Sequence, residues 1–268
     1  MIRRPAVAGR FYPAKADELL HMIEGFLEPA EHRTKTFGVV VPHAGYVYSG
    51  HVAGAVYSRI ELASRNIVLC PNHTGSGAPL AIMKSGSWQT PLGEMVIDGD
   101  LCAALMAADP LLQDDAEAHR FEHALEVQLP FMQYVGGPSV RFVPITIGTS
   151  NLQILLELGR ALAEVIQKID RTILIIASSD MNHYESDAIT RVKDRKAIDQ
   201  ILMMNPEGLY DVVRRGNISM CGSGPAVSML VAAKALGASK AELVKYATSG
   251  DVSLDFDHVV GYAGIMVV

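Results

Sequence analysis

Histidine suits both proton transfer near neutral pH and metal ligation. Three histidines of this sequence sit where an apolar run gives way to small and polar residues. The run 37–41 leads into Pro42-His43-Ala44-Gly45, and 66–69 leads into Cys70-Pro71-Asn72-His73-Thr74-Gly75. The run 172–177 leads into Ser178-Ser179-Asp180-Met181-Asn182-His183. A lone histidine at a strand end is usually a hydrogen-bonded structural residue. Three at equivalent ends point to one shared crevice, because ligands of open α/β sheets bind beyond the carboxyl ends of the strands, where the loops diverge.

Two further groups could join them. Cys221 lies in Met220-Cys221-Gly222-Ser223-Gly224-Pro225, and Pro225 suits the first turn of a helix. A cysteine just before a helix start is expected to favour the thiolate, the form that ligates metals or attacks electrophiles. Cys70 and Cys102 read as small buried residues. Glu122-His123-Ala124-Leu125-Glu126 places His123 and Glu126 three apart, on one face if the segment is helical. They could be a ligand pair, an acid–base pair or a solvated helix start. The run 246–251, ending in Asp251, either closes the pocket or forms a turn.

These groups need a scaffold. Near-continuous apolar runs predict strands over 37–41, 66–69, 140–147, 172–177 and 259–268, covered on both faces. Segments 80–84 and 95–97 predict a hairpin. Helices are expected over 16–26, 50–60, 99–107, 122–134, 151–169, 187–203 and 226–236. The clearest is 151–169, with Leu155, Leu158, Leu162, Val165, Ile166 and Ile169 on one stripe and Ser150 as N-cap. No linker or repeat divides the chain, so 1–268 is expected to be a single α/β domain. Its central mixed, mostly parallel sheet would lie between helical layers.

With 49% hydrophobic residues the chain can fill a large core. Its net charge of −6 argues against a nucleic-acid partner, which needs a basic face. Three widely spaced cysteines make neither a disulfide framework nor a zinc ribbon, and fit a reducing compartment. No apolar run is long enough to span a bilayer. A cytoplasmic protein without a membrane partner is expected.

The motifs PHAGYVYSG, PNHTG, WQTPLGE, EHALEVQLPF, SSDMNHY, CGSGP and YATSGDVS, with the opening RRPAVAGRFYP, resemble the Memo family in order and spacing. Bacterial and archaeal members carry the label AmmeMemoRadiSam system protein B. The resemblance covers essentially the whole chain. It implies a fold like that of the class III extradiol (LigB-type) dioxygenases, whose iron is held by two His and one Glu. Carried onto this sequence, it implies His43, His73 and Cys221 as metal ligands. Asp180 and His183 fall on the same rim, His183 resembling the dioxygenase acid–base histidine. A thiolate in place of a carboxylate shifts the expected metal to iron or copper, with zinc as a further candidate, and weakens the inference of ring cleavage. Cys221 is followed by Gly-Ser-Gly-Pro rather than the basic residues of some eukaryotic relatives, so phosphopeptide recognition is not carried over.

Three functions fit. One is a metal-dependent oxidoreductase acting on a small aromatic or peptide ligand. The second is an accessory protein that works with a radical SAM protein and a member of the AMME-syndrome candidate family. The third is a metal-free thiol enzyme with Cys221 as nucleophile and His183 as base, which leaves His43 and His73 without a role.

Overall fold

The computed structural model describes residues 1–30 and 32–268. The amino-terminal half runs β1 (Ile2–Arg3), α1 (Ala16–Phe26), β2 (Gly38–Val41), α2 (Tyr46–Arg59), β3 (Arg65–Pro71) and β4 (Leu80–Ile82). It continues with β5 (Ser87–Thr90), β6 (Gly93–Val96), α3 (Gly99–Ala108), β7 (Gln113–Asp114) and α4 (Leu129–Gly136). Then come β8 (Arg141–Ile147), α5 (Leu152–Ile169), β9 (Leu174–Ser178), β10 (His183–Glu185), α6 (Asp187–Leu202) and α7 (Pro206–Arg215). The last elements are α8 (Ser223–Leu236), β11 (Ala241–Thr248), α9 (Gly250–Ser253) and β12 (Val259–Val267).

The apolar runs become the core of the sheet, as expected. Strands β2, β9, β3 and β8 lie side by side in that order, all parallel. Their central residues are fully buried. Antiparallel β12 joins β2 at one edge and carries β10 and β11. At the other edge antiparallel β4 joins β8, followed by short β7. Helix α8 covers β2, β3 and β9 with α5 packed on it, while α2 packs on β2, β11 and β12, backed by α1 and α4. The result is a single α/β domain with a mixed sheet between helices. None of the described helices is long and apolar enough to cross a membrane.

Several elements differ from the sequence expectation. Segments 80–84 and 95–97 do not pair. The hairpin is β5 with β6, while β4 belongs to the main sheet. Trp88 is fully buried there. The expected helix 122–134 is a short 3-10 turn (Glu126–Gln128) running into α4, with Pro130 in its first turn. Proline there removes an N–H the helix start does not need, and would break the interior of a longer helix. Helix α5 is capped by Asn151, not Ser150. The Asn151 side chain accepts from Gln153 N–H (2.9 Å) and Ile154 N–H (3.4 Å). Its stripe is buried except Ile169, which is exposed. Helix α7 and strand β11 were not anticipated; Tyr246 to Thr248 lie in β11, and Asp251 in the short helix α9 that follows it.

Candidate metal centre

Register explains why the clusters meet. Val41 pairs with Ser178 and Leu69 with Ala177 across the parallel core, so β2, β9 and β3 end at one level. His43, Asp180 and His73 follow those ends by a few residues. His123 arrives from the crossover between β7 and β8, just before the 3-10 turn. Cys221 arrives from the start of α8. Gly222 lets that start touch β9: a Cβ there would collide with the Ser178 carbonyl and the Ser179 side chain.

The rings of His43, His73 and His123 pack together, with centroids 5.2 Å apart for 43–73, 5.6 Å for 43–123 and 4.7 Å for 73–123. One nitrogen from each lies within 4.8 Å of the others, so the three imidazoles could hold a metal ion. Cys221 Sγ is 3.2 Å from His43 Nε2. The structure thus brings His43 and His73 together with His123, while Cys221 meets this group through His43 and is not one of the three converging ligands.

The buried hydrogen bonds decide which nitrogens face the pocket. Gln128 Nε2 donates to the Pro42 carbonyl (2.9 Å) and to Ser178 Oγ (2.8 Å), while Gln128 Oε1 accepts from Tyr57 (3.0 Å). Ser178 gives its single proton to the Ala124 carbonyl (2.6 Å). The remaining contact, His43 Nδ1 to Ser178 Oγ at 3.0 Å, must therefore be donated by His43. That tautomer leaves the Nε2 lone pair in the pocket. His73 reaches the same state differently: Nδ1 donates to Glu122 Oε1 (2.9 Å), and its backbone N–H to Glu122 Oε2 (2.6 Å). An imidazole whose outer nitrogen is held by a buried acceptor is oriented for metal binding through the inner one.

The electrostatics follow from this arrangement. Burial, reinforced by the neighbouring His123 and His73, holds His43 well below its ordinary value, so its ring is neutral. Burial would raise Glu122, but the hydrogen bond and charge of His73 and the N–H donors of Ala124 and His73 outweigh it and bring the carboxyl to about 2. Burial likewise opposes the charged form of His73, and Glu122 overcomes it, raising His73. A metal at His73 Nε2 would displace the second ring proton while Glu122 keeps the first. Burial lowers His123.

Asp180, just past the neighbouring parallel strand β9, fixes the His43 loop. Its Oδ1 accepts from the N–H groups of His43 (2.8 Å) and Ala44 (3.3 Å), and its Oδ2 lies 3.8 Å from His43 Nε2. Burial raises its carboxyl despite those donors and the nearby His183. His183 stands outside the three-ring cluster, with Nδ1–H donated to the Ser219 carbonyl (2.9 Å) and Nε2 left as an acceptor.

Two expectations are corrected. The helix start does not favour a Cys221 thiolate. Burial and the adjacent Asp180 push the thiol up, because desolvating the sulfur outweighs the N–H groups around it. His123 and Glu126 form no pair. Glu126 turns away to bind Arg3 Nη1, the Tyr12 hydroxyl (2.6 Å) and the N–H groups of Ala6 (2.8 Å) and Val7 (3.1 Å). His123 was weighed only as the partner of Glu126 and not beside His43 and His73, and the support from Glu122, Ser178 and Gln128 was missed. Pro130 was the available signal, since it ends the supposed helix before it reaches His123.

Fold and pocket together define an α/β protein with a metal-competent histidine cluster at the carboxyl ends of its parallel core strands. A family model described as Memo-like protein matches residues 3–266, and the chain belongs to that family. MEMO1 family proteins of Methanopyrus kandleri and Pyrobaculum arsenaticum are 46% and 44% identical to it, covering 99% of this chain and 99% and 98% of their own lengths. One from Methanosarcina mazei is 42% identical, over 99% of both chains.

Proposed function

We propose that this Memo-family protein is a metal-dependent oxidoreductase whose iron or copper is held by His43, His73 and Cys221, with His123 beside them. The observation that carries this reading is the pair of committed Nδ1 nitrogens, on Ser178 and Glu122, which leave the Nε2 lone pairs of buried His43 and exposed His73 beside each other. The donor set fits: imidazoles and a sulfur suit iron, copper or zinc better than magnesium or calcium. Iron or copper, when bound, supplies the one-electron chemistry that these side chains lack. Asp180 orients the His43 loop, and His183, through its free Nε2, takes or returns a proton at the rim.

Metal content after anaerobic purification tests this. Near-stoichiometric iron or copper is expected in the wild type, falling in His73→Ala, Cys221→Ser and His123→Ala. Unchanged content in His73→Ala and Cys221→Ser would sink the proposal.

One observation favours a second reading, an accessory protein bound to a radical SAM protein or an AMME-syndrome-candidate-family protein. Tyr184, Leu254 and Phe256 are exposed apolar side chains, and Asp187 N–H to Phe256 carbonyl (2.9 Å) ties their segments together. Capture of either partner by the wild type but not by Tyr184→Ser/Phe256→Ser would support it. Equal capture by both would count against it.

A further inference from the structure

Cys221 also lines a cavity of about 150 Å³ shared with Thr149, Ser150, Tyr210, Arg214 and Ser223, its remaining wall largely apolar. Arg214 is the unusual member. Its neighbours on the helical surface rest on carboxylates: Arg191 on Asp187, Arg195 on Asp199, Arg215 on Asp211. Arg214 instead donates from Nη1 to the Tyr210 hydroxyl (2.7 Å), which donates to the Ser150 carbonyl (2.8 Å). Among the described residues it makes no ion pair. A neutral contact therefore orients this exposed guanidinium and leaves most of its five N–H donors without a protein partner among the described residues.

The hydroxyls around it add donors. Thr149 Oγ1 accepts from Asn151 N–H (3.2 Å), so its own proton remains to be given. A guanidinium with unused donors beside hydroxyls, in a cavity of about 150 Å³, suits a compact oxyanion group.

We propose that this cavity binds the carboxylate or phosphate of a small acidic substrate and brings the rest of that molecule to Cys221, whose sulfur lies 3.2 Å from His43. The proposal rests on reading the histidine pocket as the place of chemistry. It assigns Arg214 as the group that selects the substrate's charge and Tyr210 as its positioning residue.

The test is calorimetric titration of the purified full chain with glycolate and, separately, inorganic phosphate, with metal content measured on the same samples. Saturable binding of one anion is expected. It should weaken on the order of tenfold or more in Arg214→Ala, as expected for loss of a charge-assisted contact, and less in Arg214→Lys and Tyr210→Phe. Which anion binds identifies the group. Binding of neither, or equal binding by wild type and Arg214→Ala, overturns the proposal. Anion binding by a metal-free wild type would uphold the cavity and sink the oxidoreductase reading. Metal retained without anion binding would do the reverse.

Discussion

Glu122 and Glu126 are both fully buried, lie four residues apart on one irregular segment, and do different work. Glu126 spends every contact on the amino-terminal segment: Arg3, Tyr12 and the backbone of Ala6 and Val7. Glu122 faces the pocket, holding His73 by ring and backbone and taking the Ala124 N–H (2.8 Å). Each buried carboxylate is desolvated, so each needs partners. What differs is the partner. A guanidinium and a phenol closed into the core leave nothing to react, whereas an imidazole held by one nitrogen leaves the other available. Arg3 links the two, donating to Glu126 and, through Nη2, to the Glu122 carbonyl (2.7 Å).

Substitution should separate the two roles. Glu126→Ala strands the buried Arg3 charge and should lower stability by about 3–5 kcal/mol in chemical denaturation. The fraction still folded should bind metal as the wild type does. Asp194 extends the comparison to a third buried carboxyl. Burial raises it to about 7 against the donors Asn182 N–H, Tyr246 and Arg191, with Glu185 adding to the rise. A carboxyl whose folded pKa is raised stabilises the fold fully below its unfolded value near 3.8 and loses that contribution as pH climbs through about 7. Asp194→Asn should therefore flatten the decline in stability between about pH 4 and 7, a change on the order of a few kcal/mol; an unaltered profile would remove Asp194 from the account.

Glu122→Gln should leave stability closer to the wild type while weakening metal affinity about 10–100-fold in chelator competition, the usual consequence of losing the acceptor behind a metal-binding imidazole. If Glu122→Gln unfolds the protein as readily as Glu126→Ala, the contrast between them fails. Asn151→Ala, far from both, should cost about 1 kcal/mol through the lost α5 cap and leave metal affinity untouched.

Much of this was legible in the sequence. Apolar runs fixed the parallel core, and polar residues just beyond their ends located His43, His73 and Asp180, because strand termini are local features. The pairing of β5 with β6 was missed because Gly93 and Glu94 carry no strand pattern, and β11 because Glu242 to Tyr246 are only half-buried. The Glu122–Glu126 segment misled for another reason. Spacing three apart implies a shared face only on a helix, and this segment is not one until Leu129. Which glutamate meets a histidine is set by His73 and Arg3, more than 45 residues away in sequence.

The central claim is that an imidazole cluster, oriented by Ser178 and Glu122, is a metal site. Anomalous diffraction at the iron and copper edges, from crystals of protein purified anaerobically and loaded with each metal, tests it most directly. The account predicts one peak within bonding distance of His43 Nε2 and His73 Nε2. A fully loaded crystal whose only peak lies elsewhere, or one showing no peak among these rings, would contradict it.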